Sequence, residues 1–326
     1  MGQAVYGAED AAYGRNAAYD SYDAPEGGGM SCGRHGVRRR DFLRHGSVAS
    51  GAALLGLSRF PHALYASEQK KAAQDVIALG KSGIEVSRLA QGTGTYGFGK
   101  ESRQTKLGLQ GLAELLRAGV DQGLNFWDVG DNYGSHAHVK EALKTVARDK
   151  VVIMTKLNIS DAKGVEKDLD RIRLEMGTDM VDIVLMHYMH TPDWPTLHAG
   201  PMEALSEAKE KGLVRAVGIS SHAIQALEAA ARTDWVDVLL TRFNPVGVEM
   251  DTDAATVAPV MEGLRRQGKG VIGMKILGQG FLREEVDPAL QFVLASPALD
   301  SFTIGAENRA ELEDLIQKIP AASVRG

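Results

Sequence analysis

Eight times between residues 76 and 320 a short apolar run is followed by a stretch with helical spacing, and no other feature narrows the fold of this chain so far. The runs Leu89–Gly94, Leu124–Trp127, Val151–Thr155, Val181–Met186, Val214–Ile219, Val236–Leu240, Val271–Ile276 and Ser301–Ile304 read as strands. The intervening stretches read as helices at 105–122, 136–147, 164–176, 223–232, 255–267, 287–295 and 309–318; one more is marked by Met202, Leu205 and Ala208 and ends at Gly212. In the first helix Leu109, Leu112, Leu115, Leu116 and Val120 share a face, and Gly123 stands where a helix-ending glycine belongs. The strands are short and continuously apolar, the pattern of a parallel sheet buried on both faces.

Eight such units predict a closed (β/α)8 TIM barrel, α/β in class and a single domain over 76–320. Ile77–Leu79 and Ile84–Val86 flank Gly80-Lys81-Ser82-Gly83 and predict a small N-terminal β-hairpin. No G-x-G-x-x-G motif follows a strand in its proper form, which argues against an open dinucleotide-binding sheet. The net charge of −5 and the lack of a long basic stripe argue against nucleic acid or an anionic membrane as the main partner.

The first seventy residues have another character. Residues 1–29 are rich in Gly, Ala and Tyr, show no periodicity, and are expected to be a disordered extension. Residues 30–70 follow the order of an export signal. Arg38, Arg39 and Arg40 lead into Asp41-Phe42-Leu43, then a weakly apolar run at 47–57, then Leu64-Tyr65-Ala66 as a possible cleavage site. The Arg39–Leu43 string resembles a twin-arginine signal. The apolar run falls short of the roughly 20 residues that span a bilayer, so no stable membrane anchor is expected after cleavage. The expected partner is the twin-arginine export machinery, and the expected location is periplasmic or extracellular. Met30 is an alternative start that would give a signal of ordinary length. A single cysteine, Cys32, excludes an intrachain disulfide.

In a closed barrel chemistry gathers at the C-terminal ends of the strands. Asp128 ends the second strand, with Tyr133 in the loop after it; Lys156 ends the third and His187 the fourth. Tyrosine is a poor acid near neutrality, with a reference pKa of about 10. An ammonium about 4 Å away at an effective dielectric near 20 supplies about 4 kcal/mol, enough to lower that value by a few units. Asp128 could hold Lys156 charged, and His187 could hydrogen-bond a carbonyl oxygen. Such a set protonates an oxygen while hydride arrives at carbon. Two other classes compete. His136 and His138, with His187 and His190, hint at a metal-dependent hydrolase, but residues two apart on a helix point apart, and no metal set is expected. A non-catalytic nucleotide-binding barrel is the second alternative.

The strings GLNFWDVGDNYG, VVIMTK, VDIVLMH and VGISS resemble, in order, the defining motifs of the aldo-keto reductase family, and the similarity runs through nearly all of 76–320. The resemblance implies an NAD(P)H-dependent oxidoreductase acting on a small carbonyl substrate, aldehyde or ketone. It makes Tyr133 the general acid, Asp128 and Lys156 its tuning pair, and His187 the orienting residue. It places NADP or NAD along Gly94, Thr95, Asp128, Ser220, Ser221, Met274, Lys275, Gly278, Gly305, Asn308 and Arg309. Three positions depart from the family. Ser221 replaces an asparagine, Leu240 stands where a glutamine is usual, and Met274 stands where an aromatic ring is usual. Arg309 is alone among Glu307, Glu311, Glu313 and Asp314, a poor setting for the 2′-phosphate of NADP. Tyr96, Phe98, Tyr188 and Trp194 are candidates for the substrate pocket wall, with the loop from Met189 to Gly200 placed to cover it. Short segments after the seventh and eighth strands suggest an open, shallow pocket.

Overall fold

The computed structural model describes residues 70–159 and 161–324. The expected extension (1–29) and export signal (30–70) lie outside these residues, Lys70 excepted. A hairpin of β1 (Val76–Ala78) and β2 (Glu85–Ser87) comes first. Eight parallel strands then close into a barrel: β3 (Leu89–Gly92), β4 (Phe126–Asp128), β5 (Val152–Leu157), β6 (Val181–Met189), β7 (Val214–Ser221), β8 (Val238–Arg242), β9 (Gly270–Met274) and β10 (Ser301–Ile304), with β10 returning to pair with β3.

The outer ring comprises α1 (Gly108–Asp121), α2 (His136–Ala142), α3 (Ala162–Met176), the single turn α4 (Trp194–Leu197), α5 (Ala199–Glu210), α6 (Ile224–Ala231), α7 (Ala254–Gln267), α8 (Val286–Ala295) and α9 (Arg309–Ser323). Three of these helices begin on side-chain caps. Asp161, Asp253 and Asn308 accept from the backbone N–H three residues on, satisfying donors the helix itself leaves open.

The apolar residues divide into two clusters, as the continuously apolar strands require. One lies between strands and helices and includes Leu112, Leu116, Ile153, Val184, Leu205, Leu264 and Phe302. The other fills the barrel's inside: Phe126, Met154, Ile183, Leu185, Ala216, Val238, Leu240, Ile272 and Met274. Leu79, Ile84 and Val86 of the hairpin region join the inner cluster and are almost wholly buried. Complete burial of such a side chain contributes about 1.5–3 kcal/mol. The hairpin is therefore an apolar plug at the N-terminal mouth, and the polar residues are left to the other end.

Several boundaries differ from the sequence expectation. The first strand stops at Gly92 rather than Gly94, and β9 stops at Met274 rather than Ile276 because Lys275 takes a positive φ of 56°. The second helix ends at Ala142 rather than 147, where Lys144, Thr145 and Val146 fold back in turns onto Glu141 and Ala142. Strand β6 runs three residues further, to Met189, across an irregularity in its pairing with β7.

Candidate active site

Asp128, Lys156 and His187 meet at the C-terminal mouth, each within its strand rather than beyond it, and Tyr133 comes from a short 3-10 turn (Asp131–Tyr133). Lys156 is wholly buried, yet its ammonium is fully employed. Nζ forms an ion pair with Asp128, donates to the Val129 carbonyl at 2.9 Å, hydrogen-bonds Tyr133 and lies 4.8 Å from that ring's centre. Burial alone pulls the lysine's pKa down, but Asp128 and Tyr133 outweigh it and hold the ammonium above its ordinary value. Asp128 has a further partner that sequence reasoning missed: Thr303 on β10 donates to its second carboxylate oxygen at 2.9 Å. A threonine near the end of a barrel strand gives no signal of its own.

Tyr133 is gripped from behind. A Cβ on Gly94 or Gly97 would lie 2.3 or 2.2 Å from its ring, so both positions require glycine. Gly94, expected to face a cofactor, thus serves the tyrosine directly. The His187 ring meets the Tyr133 ring edge-on with centres 5.8 Å apart. Burial, and then the nearby Lys156 ammonium, push His187 down to about 3, so it is a neutral imidazole at ordinary pH. A buried charge, a neutral hydrogen-bonding ring and a phenol touching that charge make a set able to deliver a proton to an oxygen.

The other side of the mouth is built differently. Ser220 is wholly buried beneath His222, whose Nε2 lies 3.2 Å from its hydroxyl oxygen. Ser221 donates to the Ala223 carbonyl at 3.0 Å. His222 packs against Tyr188 with the rings tilted at 50°, receives a 2.7 Å hydrogen bond from Arg242, and is driven well below its ordinary pKa, first by burial and then by that guanidinium. Leu240 points into the inner core, which accounts for its apolar character. Met274 ends β9 beside Arg242, and Lys275 follows, its pKa lowered to about 8 chiefly by burial. Gly278 lies in the turn beyond, where a Cβ would strike Val248. Gly305 packs against Thr95 and Gln104, and Thr95 in turn receives a bond from Gln104, so neither is free of the protein's own packing. Asn308 caps α9. Arg309 pairs with Glu313, and the nearby Arg103 pairs with Glu307.

Two expectations about the substrate end change. Trp194 is not a pocket wall: it is 1% exposed, its indole N–H donates to the Ala226 carbonyl, and it packs near Trp235. Nor is the mouth simply open and shallow, because Tyr133, His187, Tyr188 and His222 interlock across it. Tyr96 and Phe98 remain exposed, with Arg103 stacked over Tyr96. A cavity of about 500 Å³ lies at the opposite, N-terminal end, between Lys81, Arg232 and Lys269, away from this chemistry.

The model of the aldo/keto reductase family matches residues 90–289. The chain belongs to the aldo/keto reductase family. Among curated aldo-keto reductases, one from Schizosaccharomyces pombe whose name carries NADP(+) is 25% identical over 185 residues, 52% of this chain and 52% of that protein. The NADH-specific methylglyoxal reductase of Escherichia coli is 26% identical over 203 residues, 54% of this chain and 61% of the relative. The chain spans about half to seven tenths of the length of the curated relatives it matches. The holo form of an aldo-keto reductase from Bacillus halodurans superposes with a TM-score of 0.61 at 18% identity, covering 75% of this chain and 90% of that one; that likeness shows the fold.

Proposed function

We propose that this chain reduces an aldehyde or ketone with NADH or NADPH, with Tyr133 as general acid. The observation that carries this reading is the contact of Tyr133 with a wholly buried, Asp128-paired Lys156. The bound nicotinamide would supply hydride to the carbonyl carbon. The protein's part is to place the carbonyl oxygen against Tyr133 and protonate it. Lys156 stabilises the phenolate left behind, Asp128 and Thr303 keep Lys156 in place, and neutral His187 orients the substrate oxygen through a hydrogen bond.

The mouth fits a dinucleotide in part. Arg242 and Lys275 bring two cations to the ends of β8 and β9, where they would hold phosphates. Ser220 reaches a carboxamide only if His222 turns aside. Arg103 and Arg309 are already paired with glutamates, which disfavours strong selection for the 2′-phosphate. The remaining positions implied by the resemblance, Thr95, Ser221, Met274, Gly278, Gly305 and Asn308, would line the same path.

The export reading stands beside this one: a twin-arginine signal would carry the chain, folded, out of the cytoplasm, cofactor included. Initial rates of NADH and NADPH oxidation across a panel of aldehydes and ketones test the activity. Turnover with at least one carbonyl is expected. Nucleotide binding without turnover on any of them would favour a non-catalytic barrel.

A further inference from the structure

Behind the Tyr133 loop lies a polar circuit that the reaction does not itself use, buried at Asp131, His136 and Thr155 and half-buried at Arg171 and Glu175. Asp131 shares the 3-10 turn with Tyr133, and Thr155 immediately precedes Lys156 on β5. The two are joined through α2 and α3. Asp131 accepts from Arg171 at 2.9 Å and pairs with Lys100. Arg171 also donates to Glu175 at 2.7 Å; Glu175 meets His136 Nδ1 at 2.9 Å; His136 Nε2 meets the Thr155 hydroxyl at 2.9 Å.

The direction of each bond follows from chemistry. Burial tends to raise the Glu175 carboxyl, but Arg171 and His136 overcome this and hold it below its ordinary range, so it accepts. His136 is almost wholly buried and its pKa is depressed by that burial, so it carries one proton. That proton sits on Nδ1, facing the carboxylate. Nε2 must then accept, and the Thr155 hydroxyl donates. Asp131, His136 and Glu175 bring ligand atoms within 4.8 Å of one another, a spacing that suits a metal ion. Here Arg171 and Lys100 supply the positive charge instead.

We propose that the circuit Thr155–His136–Glu175–Arg171–Asp131 is a positioning brace that fixes the tyrosine turn against the lysine strand, setting the Tyr133–Lys156 contact. The proposal rests on the reading of Tyr133 as general acid. An unbroken set of bonds between two catalytic segments has one geometric consequence: neither segment can shift without straining or breaking one of these hydrogen bonds. Losing one should relax the Tyr133–Lys156 contact and weaken the ammonium's help to the phenolate.

Thr155→Val is the sharpest test, because valine keeps the shape and the β-branch while deleting the donor. It should lower kcat about tenfold, the cost of one lost buried hydrogen bond, and move the alkaline limb of the reduction profile to higher pH. Nucleotide Kd should stay within twofold. Thr155→Ser restores the hydroxyl and should recover both kcat and the limb. His136→Gln, which can donate to Glu175 and accept from Thr155, should stay near wild type, and His136→Phe should follow Thr155→Val. An unchanged kcat and limb in Thr155→Val would overturn the brace. So would a loss of kcat matched by an equal loss of nucleotide affinity with the limb unmoved, which marks general loosening. Tyr133→Phe run in parallel separates the two levels: if it keeps wild-type rates, the general-acid reading falls and the brace has nothing to position.

Discussion

The two halves of the barrel mouth solve different problems. From β4 to β6 the Asp128 and Lys156 side chains are satisfied by the protein itself, and the Tyr133 ring is clasped by glycines. From β7 round to the helix after β10 and the neighbouring loop after β3, the groups that could meet a nucleotide are covered, as Ser220 is by His222, or balanced by acids, as Arg309 and Arg103 are. The acid half is preorganised before any ligand arrives, which is where electrostatic catalysis gains most. Under the proposed function the other half would have to rearrange around a nucleotide, at a cost to binding energy.

The contrast predicts a large asymmetry in stability. Lys156→Met strands the buried Asp128 carboxylate and should cost about 3–5 kcal/mol in denaturant unfolding. Lys275→Met, across the mouth, loses a 3.4 Å contact with Glu249 together with a charge that burial already disfavours, and should cost less than about 1 kcal/mol. Equal costs would erase the distinction between the halves.

Acid tests the buried imidazoles next. His187, at about 3, and His136 and His222, also depressed, resist protonation when folded, whereas an unfolded histidine takes a proton near 6.5. The unfolded chain therefore binds more protons as pH falls from about 6.5 toward 3, and stability must fall across that window. Melting temperatures measured from pH 7 to 4 should decline steadily, and His187→Asn should flatten part of the slope.

The nucleotide half should show smaller effects. Glu307→Gln removes the acid paired with Arg103, and the ratio of NADH to NADPH Kd should move several-fold toward NADPH. Lys275 loses its charge as pH rises through about 8, so nucleotide affinity should weaken a few-fold between pH 7 and 9. Lys275→Arg should remove that dependence.

Much of the fold was legible because a strand buried on both faces must be apolar and a surface helix must be periodic. Sequence could therefore place all eight units. It missed ends set by single backbone angles, such as Lys275 closing β9. The clustering of Asp128, Tyr133, Lys156 and His187 was legible because three of them fall on successive strands near their ends and the fourth in the loop after the first of these. Its support was not. Thr303, Gly97 and the His136–Glu175 pair act through contacts between residues far apart in the chain, and nothing in their local sequence marks them. Trp194 shows the converse error: an aromatic in a loop near the mouth looks like a pocket wall until its indole is found bonded to Ala226. Leu240, a departure when viewed as a missing glutamine, is an ordinary member of the barrel's inner core.

The central claim is that the preorganised half delivers the proton. Its most direct test compares wild type and Tyr133→Phe for kcat on the best carbonyl substrate and for nucleotide Kd on the same preparations. The account predicts a fall in kcat of about 10²–10⁴-fold with Kd unchanged within twofold. Equal kcat in the two proteins would contradict it.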